Sequence, residues 1–362
     1  MLGIISRKWV FGGPRLVALI ISKTCNSRCV MCWYHSPLFG EKTARNQDLD
    51  PATFMDYNLC EDIIRELQMM GTLRVVLGGH GEPTLHPQFE RILDLLLDLR
   101  MNPYVISNGL TLNVHRAKLW ASKGAYFRFS IHAGDVETWL KIHPECSTSQ
   151  FEEISRCIQV IAASNSAKVA LMHAIQRPNF RHIPQMIEHA RTLGVRELLF
   201  FPVRTDRTLH QIALLPDEEK ELASELQTCQ QRAEKYEIRT NLLQFLANNH
   251  LIRAGQLHTA QLYQNIPCYI GWLYSEFDID GQMRSCENSD VDMGYAGQQS
   301  IGEIWHSPRY RSFRQEALMM PQRRTFIPGC VCKSCPMFQF NINVHNLFHF
   351  KKIRETVSLL DY

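Results

Sequence analysis

Short apolar segments alternate with helical patterns from residue 15 to about residue 203, and this alternation restricts the fold more than any other feature. Most of the apolar segments are continuous, as in strands that are buried on both faces of a sheet. They cover residues 16–21, 73–77, 104–106, 126–131, 169–173 and 197–203. Helical patterns cover residues 51–70, 89–99, 114–122, 150–163 and 183–193. Alternation of this kind implies parallel strands joined by right-handed crossovers.

The number of repeated units predicts an incomplete barrel. The six strand–helix units fall short of the eight that close a TIM barrel, so we predict an α/β fold, a partial (β/α)6 TIM-like barrel. A doubly wound sheet would give the same alternation and stays open as an alternative. The chain has 362 residues and 45% hydrophobic content, which is enough for this barrel and a second, smaller unit.

The sequence changes character after the barrel segment. A long polar helix is predicted from residue 216 to about residue 236, and from about residue 265 the chain is rich in loops and cysteines. Asp280-Gly281 predicts a hairpin between residues 274–279 and 282–284. We therefore expect a barrel domain at residues 1–236, a helical linker at 237–264, and a small loop-rich domain with a C-terminal tail at 265–362.

Composition gives no indication of a nucleic-acid or membrane partner. The formal net charge is +3 and 21% of the residues are charged, which is ordinary for a globular protein. The N-terminal segment lacks the pattern of a signal peptide, and no apolar run approaches the roughly 18 residues of a spanning helix. We expect a cytoplasmic protein. Twelve cysteines in a reducing compartment favour metal or redox chemistry over disulfides.

Three cysteines lie within eight residues, in the spacing C-x3-C-x2-C formed by Cys25, Cys29 and Cys32. A tetrahedral zinc site takes four ligands and disulfides consume thiols in pairs, so three is an unusual number. Three thiolates would hold three corners of an iron–sulfur cluster and leave one iron open, since such clusters normally take four cysteines. Structural zinc with a remote fourth ligand is the alternative.

A second motif follows the next predicted strand, and the two motifs together resemble the radical S-adenosylmethionine (SAM) superfamily. Residues 79–83 read Gly-His-Gly-Glu-Pro, which is similar to the family's GxGEP segment. The resemblance implies a 4Fe-4S cluster on the three cysteines and SAM on the open iron. It also implies that SAM's methionyl and ribose groups contact residues at the ends of the first strands. These residues are Gly79, Gly81, Glu82, Ser107, Asn108 and Ser130.

The resemblance implies reductive cleavage of SAM to methionine and a 5′-deoxyadenosyl radical, which abstracts hydrogen from the substrate. The barrel would then orient the substrate and exclude water. Polar residues at the later strand ends are candidates for substrate contact. They are His132, His173, Arg177, Arg204 and Asp206.

The second cysteine group resembles a SPASM domain or its shorter relative, the twitch domain. Cys268 and Cys286 flank Gly281 in the spacing C-x12-G-x4-C, and Cys330, Cys332 and Cys335 follow close together. A full SPASM domain has seven cysteines for two clusters, whereas these five support one auxiliary 4Fe-4S cluster. Its expected ligands are Cys268, Cys286, Cys335 and either Cys330 or Cys332, with the C-x-x-C spacing favouring Cys332. A zinc ribbon is the alternative.

The substrate is the least constrained part of this prediction. Only 24 residues precede Cys25, too few for the leader-binding domain of many peptide maturases, so we expect a small polar metabolite such as a sugar or cyclitol. The expected reaction is oxidation, epimerisation or a related rearrangement, and a non-ligand thiol such as Cys146 or Cys330 is the candidate hydrogen donor for epimerisation. Alternatives are a maturase of a ribosomally made peptide and, outside enzymes, a zinc-stabilised binding protein. Basic residues near the C-terminus would suit a flavodoxin- or ferredoxin-like electron donor.

Overall fold

Six parallel strands alternate with helices, as the sequence predicts. We describe the protein from a computed structural model, in which residues 4, 10–39, 54–165, 168–203, 209–247, 252–253, 256–257 and 259–348 are described. The barrel strands are β1 (Leu16–Leu19), β2 (Arg74–Leu77), β3 (Asn102–Ser107), β4 (Tyr126–Ser130), β5 (Val169–Ile175) and β6 (Glu197–Pro202). The helices of this part are α1 (Tyr57–Met69), α2 (Phe89–Asp98), α3 (Val114–Ser122), α4 (Val136–Ile142), α5 (Thr148–Asn165), α6 (Ile183–Leu193) and α7 (Pro216–Lys235).

The strand order distinguishes the two folds that the alternation allows. In the sheet, β1 to β6 lie in chain order and every neighbouring pair is parallel. A doubly wound sheet would reverse its order at a switch point, and this sheet does not. The partial barrel is therefore confirmed.

The C-terminal strands extend the same sheet. The remaining elements are β7 (Arg239–Thr240), α8 (Leu242–Ala247), β8 (Ile252–Arg253), β9 (Gln256–Leu257), β10 (Tyr274–Phe277), β11 (Gln282–Arg284), β12 (Asp292–Tyr295), α9 (Ile301–Trp305), α10 (Pro308–Arg323) and α11 (Phe338–Phe348). Strand β10 pairs in parallel with β1 and in antiparallel fashion with β11, which confirms the hairpin predicted from Asp280-Gly281. Among the residues that the structure describes, the sheet runs from β12 to β7 through ten strands, and these two strands are its edges.

Short 3-10 turns complete the described elements. They are Pro37–Phe39, Pro83–Leu85, Phe180–His182, His210–Ile212, Leu262–Gln264, Ile270–Trp272 and Cys332–Ser334. Residues 338–345 fit both a strand and a helix by their apolar pattern, and they form part of α11. Asn341 of this helix accepts a hydrogen bond from the backbone N–H of Tyr269 at 2.7 Å, which ties α11 to the C-terminal region. No helix in the described part of the chain is both long and apolar enough to span a bilayer.

The helices form where an apolar stripe and a cap coincide. In α1, Cys60, Ile63, Ile64 and Leu67 recur at helical spacing and are buried against the sheet. Asp56 precedes this helix and its carboxylate accepts hydrogen bonds from the N–H groups of residues 58 and 59. Such caps satisfy donors that the first turn leaves without partners, which stabilises a helix by about 1 kcal/mol.

The two faces of the sheet differ in exposure. On β2 and β3, Val75, Leu77 and Val105 are buried beneath the helices, whereas the alternating residues Val76 and Ile106 are partly exposed. Successive side chains of a strand point to opposite faces. The helix-facing side is therefore a closed core, while the concave side of β2 and β3 is partly open.

Candidate active site

The three cysteines of the first motif lie on the loop that follows β1 and interact with one another electrostatically. Burial raises the pKa of the Cys25 thiol to about 12, and the charges of Glu82 and Cys32 raise it further. Burial likewise raises the pKa of Cys29 and of Cys32. A thiol in such a place ionises when a metal replaces its proton, so metal binding and deprotonation are coupled here.

Hydrogen-bond donors point at these sulfurs. The backbone N–H groups of Tyr34 and His35 lie 3.4 and 3.3 Å from Cys32 Sγ. The side-chain amide nitrogen of Asn108 lies 3.7 Å from Cys25 Sγ. Donors around sulfur stabilise thiolates rather than thiols. The donor set and its surroundings therefore fit an iron–sulfur cluster on Cys25, Cys29 and Cys32.

Cys29 has neighbours that the sequence did not predict. Its sulfur lies 3.3 Å from the Ser27 hydroxyl and 3.2 Å from Nδ1 of His143, the residue that ends α4. Cys146 lies on the same loop as His143, and its thiol contacts the Ser27 hydroxyl. His143 is separated from Cys29 by 114 residues, so no local spacing could have indicated this contact.

The second motif packs directly on the cysteine loop. A side chain at Gly81 would lie 2.3 Å from the carbonyl oxygen of Thr24, and one at Gly79, where φ is +130°, would lie 2.4 Å from Ile20. The N–H of Glu82 donates to the Thr24 carbonyl at 2.9 Å. Glycine is required at position 81 because the backbone of the cysteine loop leaves no room for a Cβ atom, and at position 79 because its φ is one that other residues rarely adopt. The two motifs that the sequence singled out therefore form one site.

Glu82 is buried and links this loop to the end of β3. Its carboxylate accepts hydrogen bonds from the Ser107 hydroxyl at 2.8 Å, the Asn108 backbone at 2.7 Å and the Thr84 hydroxyl at 2.5 Å. Burial raises the pKa of Glu82, while these hydrogen bonds oppose that rise. The predicted SAM-contact residues Glu82, Ser107 and Asn108 are thus brought together, and Thr84 is a partner that the sequence did not predict.

The remaining predicted contact residues are placed differently. Ser130 ends β4 on the concave side, partly exposed. His132 is buried with φ at +61°, and its Nδ1 accepts a hydrogen bond from the N–H of Ala174 at 3.0 Å, so this ring joins β4 to β5. Arg177 pairs with Glu218 at 3.2 Å. Arg204 and Asp206 lie outside the described residues.

His173 lies on the helix-facing side of β5. It shares that face with the core residues Leu171 and Ile175, and its ring stacks on Phe200 with centroids 5.4 Å apart. Burial lowers its pKa to about 3, so the ring is neutral at physiological pH. Alternate residues face opposite sides of a strand, so His173 does not line the concave interior. The prediction that His173 contacts the substrate is therefore wrong.

The second cysteine group converges from three separate segments. Burial raises the pKa of Cys268 and Cys286, and each of these thiols also feels the charge of Cys335. Cys330 and Cys332 interact with each other, and Cys332 also feels the charge of Cys268. The hydroxyl of Tyr263 donates to Cys335 Sγ at 3.0 Å. The five cysteines therefore lie near one another, and the choice between Cys330 and Cys332 stays a prediction.

The thiols of the second cysteine group lie near one another but are not arranged to bind a single metal ion. Within the described ranges, no three His, Cys, Asp or Glu side chains are arranged to hold a single metal ion. A cluster core occupies the space among its thiolates. The convergence of five thiols around one space, with the Tyr263 hydroxyl directed at one of them, fits an iron–sulfur core in the second group.

Charged residues join the two cysteine regions. Lys23, two residues before Cys25, pairs with Asp278 at 3.0 Å, and Asp278 also pairs with Arg284 of β11 at 3.0 Å. Glu276 of β10 is buried beside them, 3.6 Å from Arg284. Burial raises the pKa of Glu276 to about 8. These pairs fix the first cysteine loop against the hairpin of the second region.

Comparison with known families agrees with this geometry. The model of the radical SAM superfamily matches residues 19–212, more than half of the chain, and the model of the SPASM iron–sulfur cluster-binding domain matches residues 268–336. The chain belongs to the radical SAM superfamily and carries a C-terminal SPASM domain. It is therefore an enzyme of that superfamily, and both domains imply 4Fe-4S clusters.

Two curated relatives match part of the chain. The cofactor-modifying protein of the tungsten-containing aldehyde ferredoxin oxidoreductase from Pyrococcus furiosus is 23% identical over 190 residues, which cover 50% of this chain and 49% of that protein. The mycofactocin maturase MftC of Mycobacterium ulcerans is 26% identical over 160 residues, covering 44% of this chain and 39% of the relative. The matches thus span half or less of the length of these relatives.

A solved structure has the same fold. SuiB of Streptococcus suis bound to SAM has a TM-score of 0.64 at 13% identity, covering 87% of this chain and 71% of the SuiB chain. SuiB bound to its precursor peptide SuiA has a TM-score of 0.63 at 13% identity. The match covers 93% of this chain and 74% of the SuiB chain. At this level of identity the likeness shows the fold.

Proposed function

We propose that this radical SAM enzyme modifies a peptide by abstracting hydrogen from one of its residues. The observation that carries the proposal is the open concave face of the sheet. Its partly exposed side chains, among them Val76, Ile106 and Met172, lie below the strand ends where the cysteine loop and the SAM-contact residues meet. A substrate segment bound in this interior would present its C–H bonds to that site.

The proposal of a peptide substrate is supported by the relatives of this chain and not by its sequence motifs. One curated relative is named as a maturase, and a protein of the same fold has been solved with its precursor peptide bound. The small polar metabolite expected from the sequence gains no such support. That expectation depended on the short segment before Cys25, and the comparisons favour the alternative, a peptide maturase.

The residues of this chain hold the reacting groups in place. When bound, SAM and the reduced cluster supply a 5′-deoxyadenosyl radical that takes a hydrogen atom from the substrate. Gly79 and Gly81 allow the second motif to pack on the cysteine loop, and Asn108 spans Cys25 and Asn26 through its amide nitrogen, 2.8 Å from the Asn26 oxygen. Apolar side chains of the concave face would keep out water and stray hydrogen donors. We keep a flavodoxin- or ferredoxin-like protein as the proposed electron donor.

The substrate class can be tested before the substrate is known. The enzyme, with both clusters loaded under anaerobic conditions, is given SAM, dithionite and an extract of cells grown on deuterated medium. Mass spectrometry then measures deuterium in the 5′-deoxyadenosine, because the hydrogen in that product comes from the substrate. We expect deuterium with the peptide fraction of the extract and its loss after protease treatment.

Two results would decide against a peptide. One is deuterium transfer from the small-metabolite fraction alone. The other is a signal that survives complete proteolysis. The Cys25→Ala variant is the control, since release of 5′-deoxyadenosine without the first cluster would show that the signal does not come from this site.

The fate of the substrate radical separates two reactions. Oxidation would pass an electron to the second cysteine group, whereas epimerisation would take a hydrogen atom from a thiol. Cys146 is the proposed donor, as a thiol outside both proposed ligand sets that lies beside the first loop. The Cys146→Ala variant should lose product and keep 5′-deoxyadenosine release if the reaction is epimerisation. Unchanged product would exclude Cys146 as the hydrogen donor.

A further inference from the structure

Arg128 is a buried cation without an anionic partner, in the middle of β4. Its side chain is 2% exposed, and its Nε has no hydrogen-bond partner. Among the residues that the structure describes, no carboxylate lies within ion-pair distance of its guanidinium. Buried charges are normally paired, because removal from water is costly for an ion. The unpaired state of Arg128 is therefore a feature that needs a physical reason.

The surroundings of Arg128 orient its guanidinium without neutralising it. The carbon at the centre of the guanidinium lies 5.1 Å from the centroid of the Tyr104 ring and 5.3 Å from that of Tyr126. Aromatic faces attract a cation, but they accept no N–H hydrogen bond in the plane of the guanidinium. The rings thus support the cation, while its Nε–H stays without an acceptor.

The carboxylate that contacts the neighbouring Tyr126 is already engaged. Glu197 at the start of β6 accepts a hydrogen bond from the Tyr126 hydroxyl and pairs with Arg239 at 3.3 Å. Arg74 adds positive charge on the same side of the sheet, since its guanidinium carbon lies 3.9 Å above the Tyr104 ring. Arg74 and Arg128 thus place two guanidinium groups beside the Tyr104 ring.

Arg128 lies directly below the candidate active site. It shares the concave face with Ser130, two residues further along β4, and its neighbours in register are Ile106 of β3 and Ala170 of β5. Ile106 and Ser130 are partly exposed, so the interior above Arg128 is open. A ligand that enters from the carboxyl ends of the strands would reach the guanidinium after it passes the SAM-contact residues.

We propose that Arg128 binds a carboxylate of the substrate at the floor of the barrel interior. A carboxylate is planar and accepts two parallel N–H bonds from a guanidinium, which suits a buried arginine whose Nε has no acceptor. The inference rests on the proposed function in one respect, namely that the occupant belongs to a peptide. Its carboxylate comes either from an acidic side chain or from the C-terminus, and Arg128 would then set which residue lies beside SAM.

The test compares matched acid and amide probes by calorimetry on the full chain, with both clusters and SAM bound under anaerobic conditions. The first pair is acetyl-Gly-Asp-Gly amide and its Asn analogue, which tests a side-chain carboxylate. The second is acetyl-triglycine as free acid and as amide, which tests a C-terminal carboxylate. Succinate and succinamide form a third pair that is not a peptide. We expect the acid of at least one pair to bind ~10- to 100-fold more tightly than its amide, as for a charged hydrogen bond.

The variants connect this preference to Arg128. Arg128→Gln should bind acid and amide equally, and Arg128→Lys should keep only part of the preference because it loses the planar pair of donors. Arg74→Gln is the matched control, since it removes a cation from the same face and should leave most of the preference. If the Gln variant does not fold, as judged by circular dichroism and cluster absorbance, the Lys variant decides.

The outcomes separate this inference from the proposed function. An Arg128-dependent preference for succinate with no peptide preference would support the carboxylate site and count against a peptide substrate. Equal binding or no binding of acid and amide in all three pairs would overturn the inference. So would a preference that persists in both Arg128 variants, or tighter binding of inorganic phosphate than of any carboxylate.

Discussion

The two cysteine regions of this enzyme are built in opposite ways. The first places Cys25, Cys29 and Cys32 on one continuous loop, where all three are partly exposed. The second gathers five cysteines from three segments, and Cys268, Cys286 and Cys335 among them are buried. A three-thiol loop near an open interior leaves one iron free to bind a small molecule, whereas an enclosed set with more thiols than a cluster needs favours complete ligation. We therefore propose that the first site performs the chemistry and that the second serves electron transfer.

The sharpest test of this division removes a thiol from the first loop. Cys25→Ala should abolish 5′-deoxyadenosine release, because the cluster that reduces SAM loses one of its three protein ligands. Iron content should fall by about four atoms per chain, the content of one 4Fe-4S cluster. Iron analysis and liquid chromatography measure both effects. Retained release of 5′-deoxyadenosine in this variant would contradict the assignment.

A suitable control is the buried Cys229 of α7, which packs in the hydrophobic core and belongs to neither cysteine group. Cys229→Ala removes a thiol of the same kind without touching either cysteine region. It should keep its iron and its 5′-deoxyadenosine release, so loss of iron in this variant as well would indicate a general effect on folding.

The corresponding change in the second region should leave initiation intact. Cys286→Ala should lower iron content by a similar amount and stop oxidised product, while 5′-deoxyadenosine release continues, because SAM cleavage needs only the first cluster. The ratio of product to 5′-deoxyadenosine is the measurement that separates the two regions. Loss of 5′-deoxyadenosine to the same extent as in Cys25→Ala would mean that the regions are not independent.

A smaller effect distinguishes the fourth ligand of the second region. Cys332→Ser should weaken the auxiliary cluster and change its electron paramagnetic resonance spectrum, while Cys330→Ser should leave both the spectrum and the iron content unchanged. The basis is the C-x-x-C spacing with Cys335, together with the hydrogen bond of about 3.2 Å that Cys330 already makes to Ser289. The opposite pattern of effects would make Cys330 the ligand.

The same contrast explains how much the sequence could predict. The six strands and the first cysteine loop depend on local patterns, and the structure places them within a few residues of the predicted bounds. The association of Glu82 with Ser107 follows from neighbouring strand ends. The contacts of His143 with Cys29 and of Lys23 with Asp278 join residues far apart in sequence, so only the packed fold creates them. His173 was misplaced because its apolar surroundings do not reveal which face of β5 it occupies.

The junction between the two regions predicts a pH dependence of stability. Burial, with a contribution from Glu287, raises the pKa of Glu276 from 4.5 to about 8, so the folded protein binds a proton that the unfolded chain releases. A raised carboxyl pKa makes folding less favourable as pH increases, so stability should fall between about pH 5 and about pH 8. The groups that act on Glu276 are Tyr274, Asp278, Arg284, Glu287 and His80.

Replacement of the carboxyl tests this dependence and gives the smallest of the expected effects. Glu276→Gln should flatten the pH profile of the free energy of unfolding by an amount on the order of a few kcal/mol. Denaturant unfolding at several pH values measures it, and Asp217→Asn, at an exposed carboxylate of α7, is the matched control that should leave the profile unchanged. If the free energy of unfolding of Glu276→Gln depended on pH as it does in the wild type, Glu276 would not be the source of the pH dependence. Because β10 pairs with β1 beside the first cysteine loop, a charged Glu276 would weaken the contact through which the two regions hold each other in place.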